Sequence, residues 1–252
     1  KQIQFLEKAG FTIYPGTYSI GGNTLESMSR VLDVSYEPKG NLRICTSGEA
    51  SVLDVLRENG YETMGIFDSD YLFRGVKQKP KYDKYFPAYK VKTYMLLISS
   101  ILEGEFRFDA EFEKINYEDY LKIKRKIFAQ ENFKPVFLYC HGAYPGHSQN
   151  SGKCRENEKK VHFENIITAN EEMREDIELI LKSNPDAIVI VAGDHGPYLT
   201  KNCTGLKDYD IDEVDRFDLQ DRYGTFMAIR WPEESMVKNN DIETLQDALP
   251  AV

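Results

Sequence analysis

The sequence has no long apolar run, no block of basic residues and no CxxC cysteine pair, and each absence argues against a class of protein. A transmembrane helix needs about 20 consecutive apolar residues, and the longest apolar segment, residues 94–102, is about half that length. With a net charge of −9 and no basic stripe, the chain is not expected to have a nucleic-acid partner. Four cysteines without CxxC spacing argue against a structural zinc site.

The sequence starts at Lys1, inside a predicted helix, and has neither an initiator methionine nor a recognisable signal peptide. We therefore expect a fragment or a processed piece of a longer protein. Cys154 and Cys203 lie in polar loops, where they are either two free surface thiols or a disulfide, and a disulfide would indicate an oxidising compartment. Cys140 lies in an apolar run and is predicted to be a buried thiol.

Apolar residues recur with helical spacing in some segments and form short extended runs in others. Helical spacing predicts helices over residues 24–32, 47–59, 116–130 and 162–181. Short apolar runs predict strands over residues 61–67, 135–139, 187–192 and 223–231. We take Ser47 as the N-cap of its helix. This alternation predicts a single α/β domain over residues 1–252, a three-layer sandwich around a mostly parallel central sheet.

The run A-I-V-I-V-A at residues 187–192 is short, uncharged and rich in β-branched residues, which is typical of a strand buried on both faces. Asp194 and His195 follow it after one glycine, where open α/β sheets bind their ligands. A carboxylate beside an imidazole suits Zn²⁺ or Mn²⁺ better than Ca²⁺. The pair therefore predicts half of a site for one divalent metal, and the alternative is a solvated loop pair.

Two further histidines follow the predicted strand at residues 135–139, in the segment F-L-Y-C-H-G-A-Y-P-G-H-S. If this strand and the one at residues 187–192 are neighbours, their carboxyl ends face one crevice. His141 and His147 could there bind an anionic substrate or give a proton to a leaving group. The alternative is a pair of loop histidines without a catalytic role.

The glycine-rich segment G-T-Y-S-I-G-G-N-T-L-E-S places Thr24 at the start of a predicted helix. Free backbone N–H groups and the helix dipole favour a bound phosphate or sulfate at such a position. On this motif alone, Thr24 is more simply a helix N-cap than a nucleophile. The second interpretation is a hydroxyl whose pKa is lowered by a metal ion, so that it can attack a substrate.

The order of these motifs resembles the sulfatase-like branch of the alkaline phosphatase superfamily. The similarity extends to F-L-E-K-A-G-F at residues 5–11, V-L-R-E-N-G-Y-E-T at residues 55–63, G-D-H-G at residues 193–196 and R-Y-G-T-F-M-A-I at residues 222–229. Thr24 stands where the phosphoethanolamine and phosphoglycerol transferases of that branch carry their nucleophile. The C/S-x-P-S-R motif of the true sulfatases is absent from the chain.

The resemblance implies an alkaline-phosphatase-like fold and a set of site residues. Asp194, His195 and Thr24 would bind one divalent ion, and Thr24, His141 and His147 would be catalytic. We also expect three residues to contact the substrate, namely Gly22, Asn23 and Arg74. The first metal ligand of the family, an Asp or Glu after the first strand, should lie upstream of Phe5, so the sheet is expected to lack that strand.

The implied activity is a metal-dependent phosphotransferase of the phosphoethanolamine or phosphoglycerol type. It would act on a phospholipid or surface glycan of the cell envelope through a phosphothreonine intermediate. The implied location is the periplasmic or extracellular face of a bacterial inner membrane, with membrane association through a missing N-terminal segment. Two alternatives stay open: a phosphate or sulfate ester hydrolase of the same fold, and a degenerate, metal-free domain that binds a glycan or a protein.

Overall fold

The computed structural model describes residues 1–37, 40–73, 76, 80–86, 115–132, 134–142, 144–147, 157–201, 210–232 and 242–252. The α-helices in these ranges are Gln2–Lys8 (α1), Thr24–Asp33 (α2), Leu42–Ile44 (α3), Ser51–Glu58 (α4), Tyr117–Phe128 (α5), Glu158–Ser183 (α6) and Arg216–Tyr223 (α7). The strands are Phe11–Ile13 (β1), Glu62–Phe67 (β2), Lys84–Phe86 (β3), Val136–His141 (β4), Val189–Ala192 (β5) and Met227–Arg230 (β6). None of these helices has both the length and the apolar character needed to cross a membrane.

Strands β3, β2 and β4 form a parallel sheet in that order. The central strand β2 pairs with β4 along its whole length, from Glu62 opposite Val136 to Phe67 opposite His141. Burial of β2 is nearly complete, since only its first residue is partly exposed. The ends of β2 and β4 coincide, which places His141 at the edge where parallel sheets bind their ligands.

Strands β1, β6 and β5 form a second sheet, which is antiparallel. Helix α7 lies between β5 and β6 in the chain, and its 8 residues span only about 12 Å. It packs at the carboxyl end of β5, where the Gly196 N–H donates to the Arg222 carbonyl at 3.0 Å. Strand β6 therefore begins beside the end of β5, with Ala192 opposite Met227, and runs back along it. The prediction of a mostly parallel sheet is thus right for β3–β2–β4 and wrong for β1–β6–β5.

Helix α6 packs against both sheets. Its Ile177 belongs to the hydrophobic cluster that contains Val189 of β5, and its Ile180 belongs to the cluster that contains Leu138 of β4. Strands β4 and β5 therefore both lie beneath this helix, although in the described part of the chain no hydrogen-bonded strand pair joins the two sheets. This arrangement brings the carboxyl ends of both strands to one place.

The helix predicted over residues 47–59 begins later, at Ser51. The chain first makes a turn of π-helix at Cys45–Glu49, in which Gly48 has a φ of 106°. A Cβ on Gly48 would lie 2.8 Å from the Tyr82 backbone nitrogen, so the left-handed conformation and the close approach both require glycine. Ser47 consequently donates to a backbone carbonyl of its own turn at 2.8 Å and does not cap the helix.

The other predicted helices are present as α2, α5 and α6, and the four predicted strands as β2, β4, β5 and β6. The α/β class is therefore confirmed. The third layer of the sandwich, the absence of a first strand and the single-domain boundary stay predictions.

Candidate active site

Three segments that are far apart in the sequence meet at the carboxyl ends of β4 and β5. His141 is the last residue of β4, Asp194 and His195 follow β5, and Thr24 begins α2. Thr24 Oγ1 lies 3.4 Å from His195 Nε2, and the same hydroxyl hydrogen-bonds to the Asp194 carboxylate. His141 lies close enough to Asp194 for its positive form to lower the Asp194 pKa. The structure thus brings together these four residues that the sequence analysis selected separately.

Helix α2 is capped by Asn23 and not by Thr24. The Asn23 backbone is extended, and its Oδ1 accepts a hydrogen bond from the Glu26 N–H at 3.0 Å. Thr24 is the first helical residue, a position whose side chain is not needed for capping. The interpretation of Thr24 as a plain N-cap is therefore wrong, and its hydroxyl is directed to Asp194 and His195 instead.

The loop before Thr24 is held by its own side chains. The hydroxyls of Ser19 and Ser27, both buried, are 2.7 Å apart. A Cβ on Gly21 would lie 2.3 Å from the Ser27 nitrogen, so only glycine fits there. The Gly22 N–H, which is predicted to contact the substrate, donates in this structure to Glu26 Oε2 at 3.2 Å. The path of the loop is therefore fixed up to the residue before Asn23.

Asp194 is an ionised carboxylate with an unused oxygen. Burial on its own would raise the Asp194 pKa, but His141, His195 and the Thr24 hydroxyl together hold the pKa below its ordinary value. Its Oδ2 atom is shielded from solvent and has no hydrogen-bond partner among the described residues. A shielded anionic oxygen without a donor is costly unless a cation or a proton approaches it.

His195 directs an unprotonated nitrogen at the same oxygen. Its Nδ1 lies 2.8 Å from the Gly196 carbonyl, which can only accept, so Nδ1 carries the ring proton. Burial lowers the pKa of His195, and the neighbouring Asp194 opposes this only in part, so the ring is neutral near pH 7. The Nε2 lone pair is 3.4 Å from Asp194 Oδ2. A histidine that donates one N–H to a carbonyl and offers the other nitrogen has the arrangement of a metal ligand.

The two remaining predicted histidines border this centre. His147 is exposed, and its ring centroid is 5.3 Å from that of His195. His141 Nδ1 lies 3.4 Å from the Tyr139 hydroxyl, and the His141 carbonyl accepts from the Tyr120 hydroxyl at 3.2 Å. Their roles as substrate-binding or proton-donating groups stay predictions.

Tyr198 lies at the centre of the site, although no motif in the sequence predicts it. Its ring is 2% exposed and stacks on the His195 ring with an interplanar angle of 13° and a centroid distance of 4.9 Å. The Arg222 guanidinium lies 3.6 Å from the same ring. No periodicity marks Tyr198, because it belongs to an irregular loop. Its nearness to the motif G-D-H-G is the one signal that could have drawn attention to it.

The predicted substrate contact Arg74 and the cysteines Cys154 and Cys203 lie outside the described residues. Within the ranges that the structure covers, no group of three or more His, Cys, Asp or Glu side chains could hold a metal ion. Asp194, His195 and the Thr24 hydroxyl nevertheless fit a divalent cation, because they turn three oxygen and nitrogen donors toward one point. A tetrahedral zinc site has four ligands, so these residues form an incomplete site.

Fold and site together define an α/β domain with a hydroxyl, a carboxylate and an imidazole at the carboxyl ends of its strands. No protein-family model and no curated protein sequence matches the chain. The structure of the C-terminal periplasmic domain of EcEptC from Escherichia coli, in complex with Zn, is similar to 98% of this chain over 72% of its own length, with a TM-score of 0.59 and 12% identity. Ps i-CgsB in complex with k-i-k-neocarrahexaose is similar to 99% of this chain over 64% of its length, with a TM-score of 0.54 and 14% identity. At the level of the fold, the resemblance that the motifs predict is confirmed.

Proposed function

We propose that this chain is the catalytic domain of a metal-dependent phosphotransferase of the phosphoethanolamine or phosphoglycerol type. Its substrate is a phospholipid or a surface glycan of the cell envelope, and Thr24 is the nucleophile. The single observation that carries this proposal is the environment of the Thr24 hydroxyl. That hydroxyl does not cap α2, and it contacts the ionised carboxylate of Asp194 and the neutral imidazole of His195, which follow β5.

The reaction has two steps of in-line displacement at phosphorus. Thr24 Oγ1 forms a bond to phosphorus and releases its proton to solvent, while the bond from phosphorus to the leaving alcohol breaks and His141 protonates the leaving oxygen. An acceptor hydroxyl or water then attacks the phosphothreonine and gives its proton to His141, while the bond from phosphorus to Thr24 Oγ1 breaks and this oxygen takes up a proton from solvent. His147 would steady the phosphoryl oxygens at the exposed side of the site.

Asp194, His195 and Thr24 would hold one divalent ion, zinc or manganese. When bound, this ion supplies positive charge that lowers the pKa of the Thr24 hydroxyl and offsets the charge of the phosphoryl group. The unpartnered Asp194 Oδ2 and the Nε2 lone pair of His195 support this assignment. The zinc complex of the EcEptC domain, which has the same fold, supports the choice of metal.

We further propose that a parallel strand from upstream of Lys1 lies between β4 and β5 and supplies the missing carboxylate ligand. Every residue of β4 is only half-buried, as are Val189, Ile190 and Val191 of β5, although both strands are apolar. Apolar strands with open edges are rare in native sheets. Because β4 and β5 both end at the site, the last residue of a strand between them would reach Asp194.

The proposed location is the periplasmic or extracellular face of a bacterial inner membrane, with attachment through an N-terminal segment. The periplasmic origin of the EcEptC domain supports this location. Extraction of membranes from cells that express the full-length protein tests it. Recovery of the protein in the cytosolic fraction alone would contradict the proposal.

A trapping experiment tests the nucleophile. The full-length protein is incubated with a phosphoethanolamine lipid and quenched in acid, and its peptides are analysed by mass spectrometry. We expect a phosphoethanolamine adduct on the peptide that contains Thr24, no adduct in Thr24→Ala, and a reduced one in Thr24→Ser, which keeps a hydroxyl. An active Thr24→Ala variant would refute the role of Thr24.

An ester hydrolase of the same fold is the first alternative, and aryl phosphate and aryl sulfate esters distinguish the two. The proposal predicts that an added acceptor alcohol raises turnover of the phosphate ester above the reaction with water, and that sulfate is not the preferred ester. Preferential hydrolysis of aryl sulfate would favour the alternative.

A metal-free domain that binds a glycan or a protein is the second alternative, and the incomplete ligand set of the described residues favours it. Metal analysis of the full-length protein, with Asp194→Ala as control, decides between the two. One equivalent of zinc or manganese that Asp194→Ala loses supports the enzyme. Absence of bound metal from both proteins would favour the binding domain.

A further inference from the structure

Tyr198 connects the two segments that build the site. Its hydroxyl donates to the carbonyl of Gly22, two residues before Thr24. Its ring stacks on His195. One side chain therefore contacts both the loop that carries the proposed nucleophile and one of the proposed metal ligands.

Arg222 of helix α7 holds Tyr198 from the side of the second sheet. Its guanidinium lies 3.6 Å from the Tyr198 ring, a close cation–π distance. Arg222 is 9% exposed, and its Nη2 donates to the Lys201 carbonyl at 3.1 Å. The Arg222 carbonyl also accepts from the Gly196 N–H. The guanidinium is therefore fixed by several contacts, and α7 is anchored to the loop that contains Asp194 and His195.

The backbone of Tyr198 shows that this placement is imposed by its surroundings. Its φ is 61°, a left-handed value that is uncommon for a bulky residue. Such a conformation persists only where the contacts around it determine it, and it is frequent at functional sites. The contacts here include those with Gly22, His195, Arg222 and the ring of His147, whose centroid is 4.9 Å away.

We propose that Tyr198 and Arg222 are positioning residues that set the distance between Thr24 and His195. This inference rests on the proposed function of Thr24 as nucleophile, and it adds how that nucleophile is kept in register with its neighbours. Small errors in the placement of a reacting group lower the rate strongly, whereas they change substrate affinity little. Tyr198 acts on the hydroxyl of Thr24 through the Gly22 carbonyl, and on His195 through stacking.

Tyr198→Phe tests this proposal, since it removes the hydrogen bond to Gly22 and keeps the ring. We expect the turnover of a phosphoethanolamine lipid to fall roughly three- to tenfold, as for one hydrogen bond, with KM unchanged within about twofold. Arg222→Lys should lower the rate in the same way, because it keeps the charge and loses the planar group. A matched control is Tyr36→Phe, which removes a tyrosine hydrogen bond to Asp247, 2.8 Å long, outside the site. It should leave turnover unchanged.

Hydrogen exchange gives a readout that does not depend on activity. Peptides that cover residues 19–27 should exchange severalfold faster in Tyr198→Phe than in the wild type, while the melting temperature and the exchange of α6 stay the same. Tyr36→Phe should show no such change. If the wild type is inactive but exchange responds as expected, the proposed function fails and the positioning role stands.

Unchanged exchange and unchanged turnover in Tyr198→Phe would overturn the proposal. So would faster exchange throughout the protein, since Tyr198 would then stabilise the fold in general. If Tyr198→Phe does not fold, the same exchange measurement on Arg222→Lys decides, and exchange at residues 19–27 equal to that of the wild type refutes the proposal.

Discussion

Asn23→Ala is the substitution that best separates capping from catalysis at the start of α2. It removes the acceptor of the 3.0 Å hydrogen bond from the Glu26 N–H. Loss of an asparagine N-cap typically costs about 1 kcal/mol. For a protein of this size, 1 kcal/mol corresponds to a fall of roughly 2–4 °C in melting temperature. If this whole 1 kcal/mol appeared as a higher activation free energy because Thr24 is misplaced, the rate would fall about fivefold.

The assay compares thermal unfolding and turnover in four proteins: the wild type, Asn23→Ala, Asn23→Ser and Asn116→Ala. Asn116 caps α5 through a 2.9 Å hydrogen bond from the Glu118 N–H, so it is a matched capping site. Asn23→Ser keeps a capping oxygen and should regain stability. Both alanine variants should lose similar stability, but only Asn23→Ala should lose turnover. An Asn23→Ala variant as stable as the wild type would refute the assignment of the cap.

Three further substitutions test contacts that stabilise the fold. Asp83→Ala leaves the buried Thr63 N–H and hydroxyl without their acceptor, and should lower the free energy of unfolding by about 1–3 kcal/mol at pH 7. The hydrogen bonds from Thr63 lower the Asp83 pKa, so this stabilisation is present above the unfolded pKa of about 3.9 and is lost as the pH falls through the folded pKa. Urea unfolding of the wild type and Asp83→Ala at pH 7 and in acid measures it. A difference in unfolding free energy between the two proteins that grew in acid would contradict the prediction. Lys124→Met breaks a buried 2.6 Å ion pair with Asp176 and should lower the free energy of unfolding in urea by about 3–5 kcal/mol. The second change Asp176→Leu should restore most of this loss. An unchanged urea midpoint in Lys124→Met would refute the prediction. Gly196→Ala places a Cβ 2.1 Å from a carbonyl of α7 and should cost roughly 1–3 kcal/mol in thermal unfolding; a variant as stable as the wild type would contradict the close contact.

Hydrophobic periodicity predicted the elements that carry the site, because α2, α5, α6 and β2 bury apolar side chains, and β4 and β5 are apolar runs that pack against α6. It failed where backbone conformation decides the structure. Ser47 resembles an N-cap in sequence, but the positive φ of Gly48 delays the helix to Ser51. The direction of β6 could not be predicted, because it depends on where the short helix α7 packs.

The candidate site could be predicted where chemistry and strand ends coincide. Asp194, His195 and His141 follow apolar runs, and their convergence results from the position of β4 and β5 under α6. Capping could not be predicted, because Asn23 and Thr24 are both good N-caps and only the backbone path distinguishes them. Tyr198 was missed because stacking and cation–π contacts have no sequence period.

The contact between Thr24 and His195 closes a loop of 171 residues. We expect contacts of such high sequence separation to form late, because closing a long loop lowers the entropy of the chain before the contact stabilises it. Helices such as α6 can form locally and early. Refolding from urea should therefore restore helical signal before it restores the geometry of the site, and cleavage of the chain between Thr24 and His195 before folding should leave helices without a functioning centre.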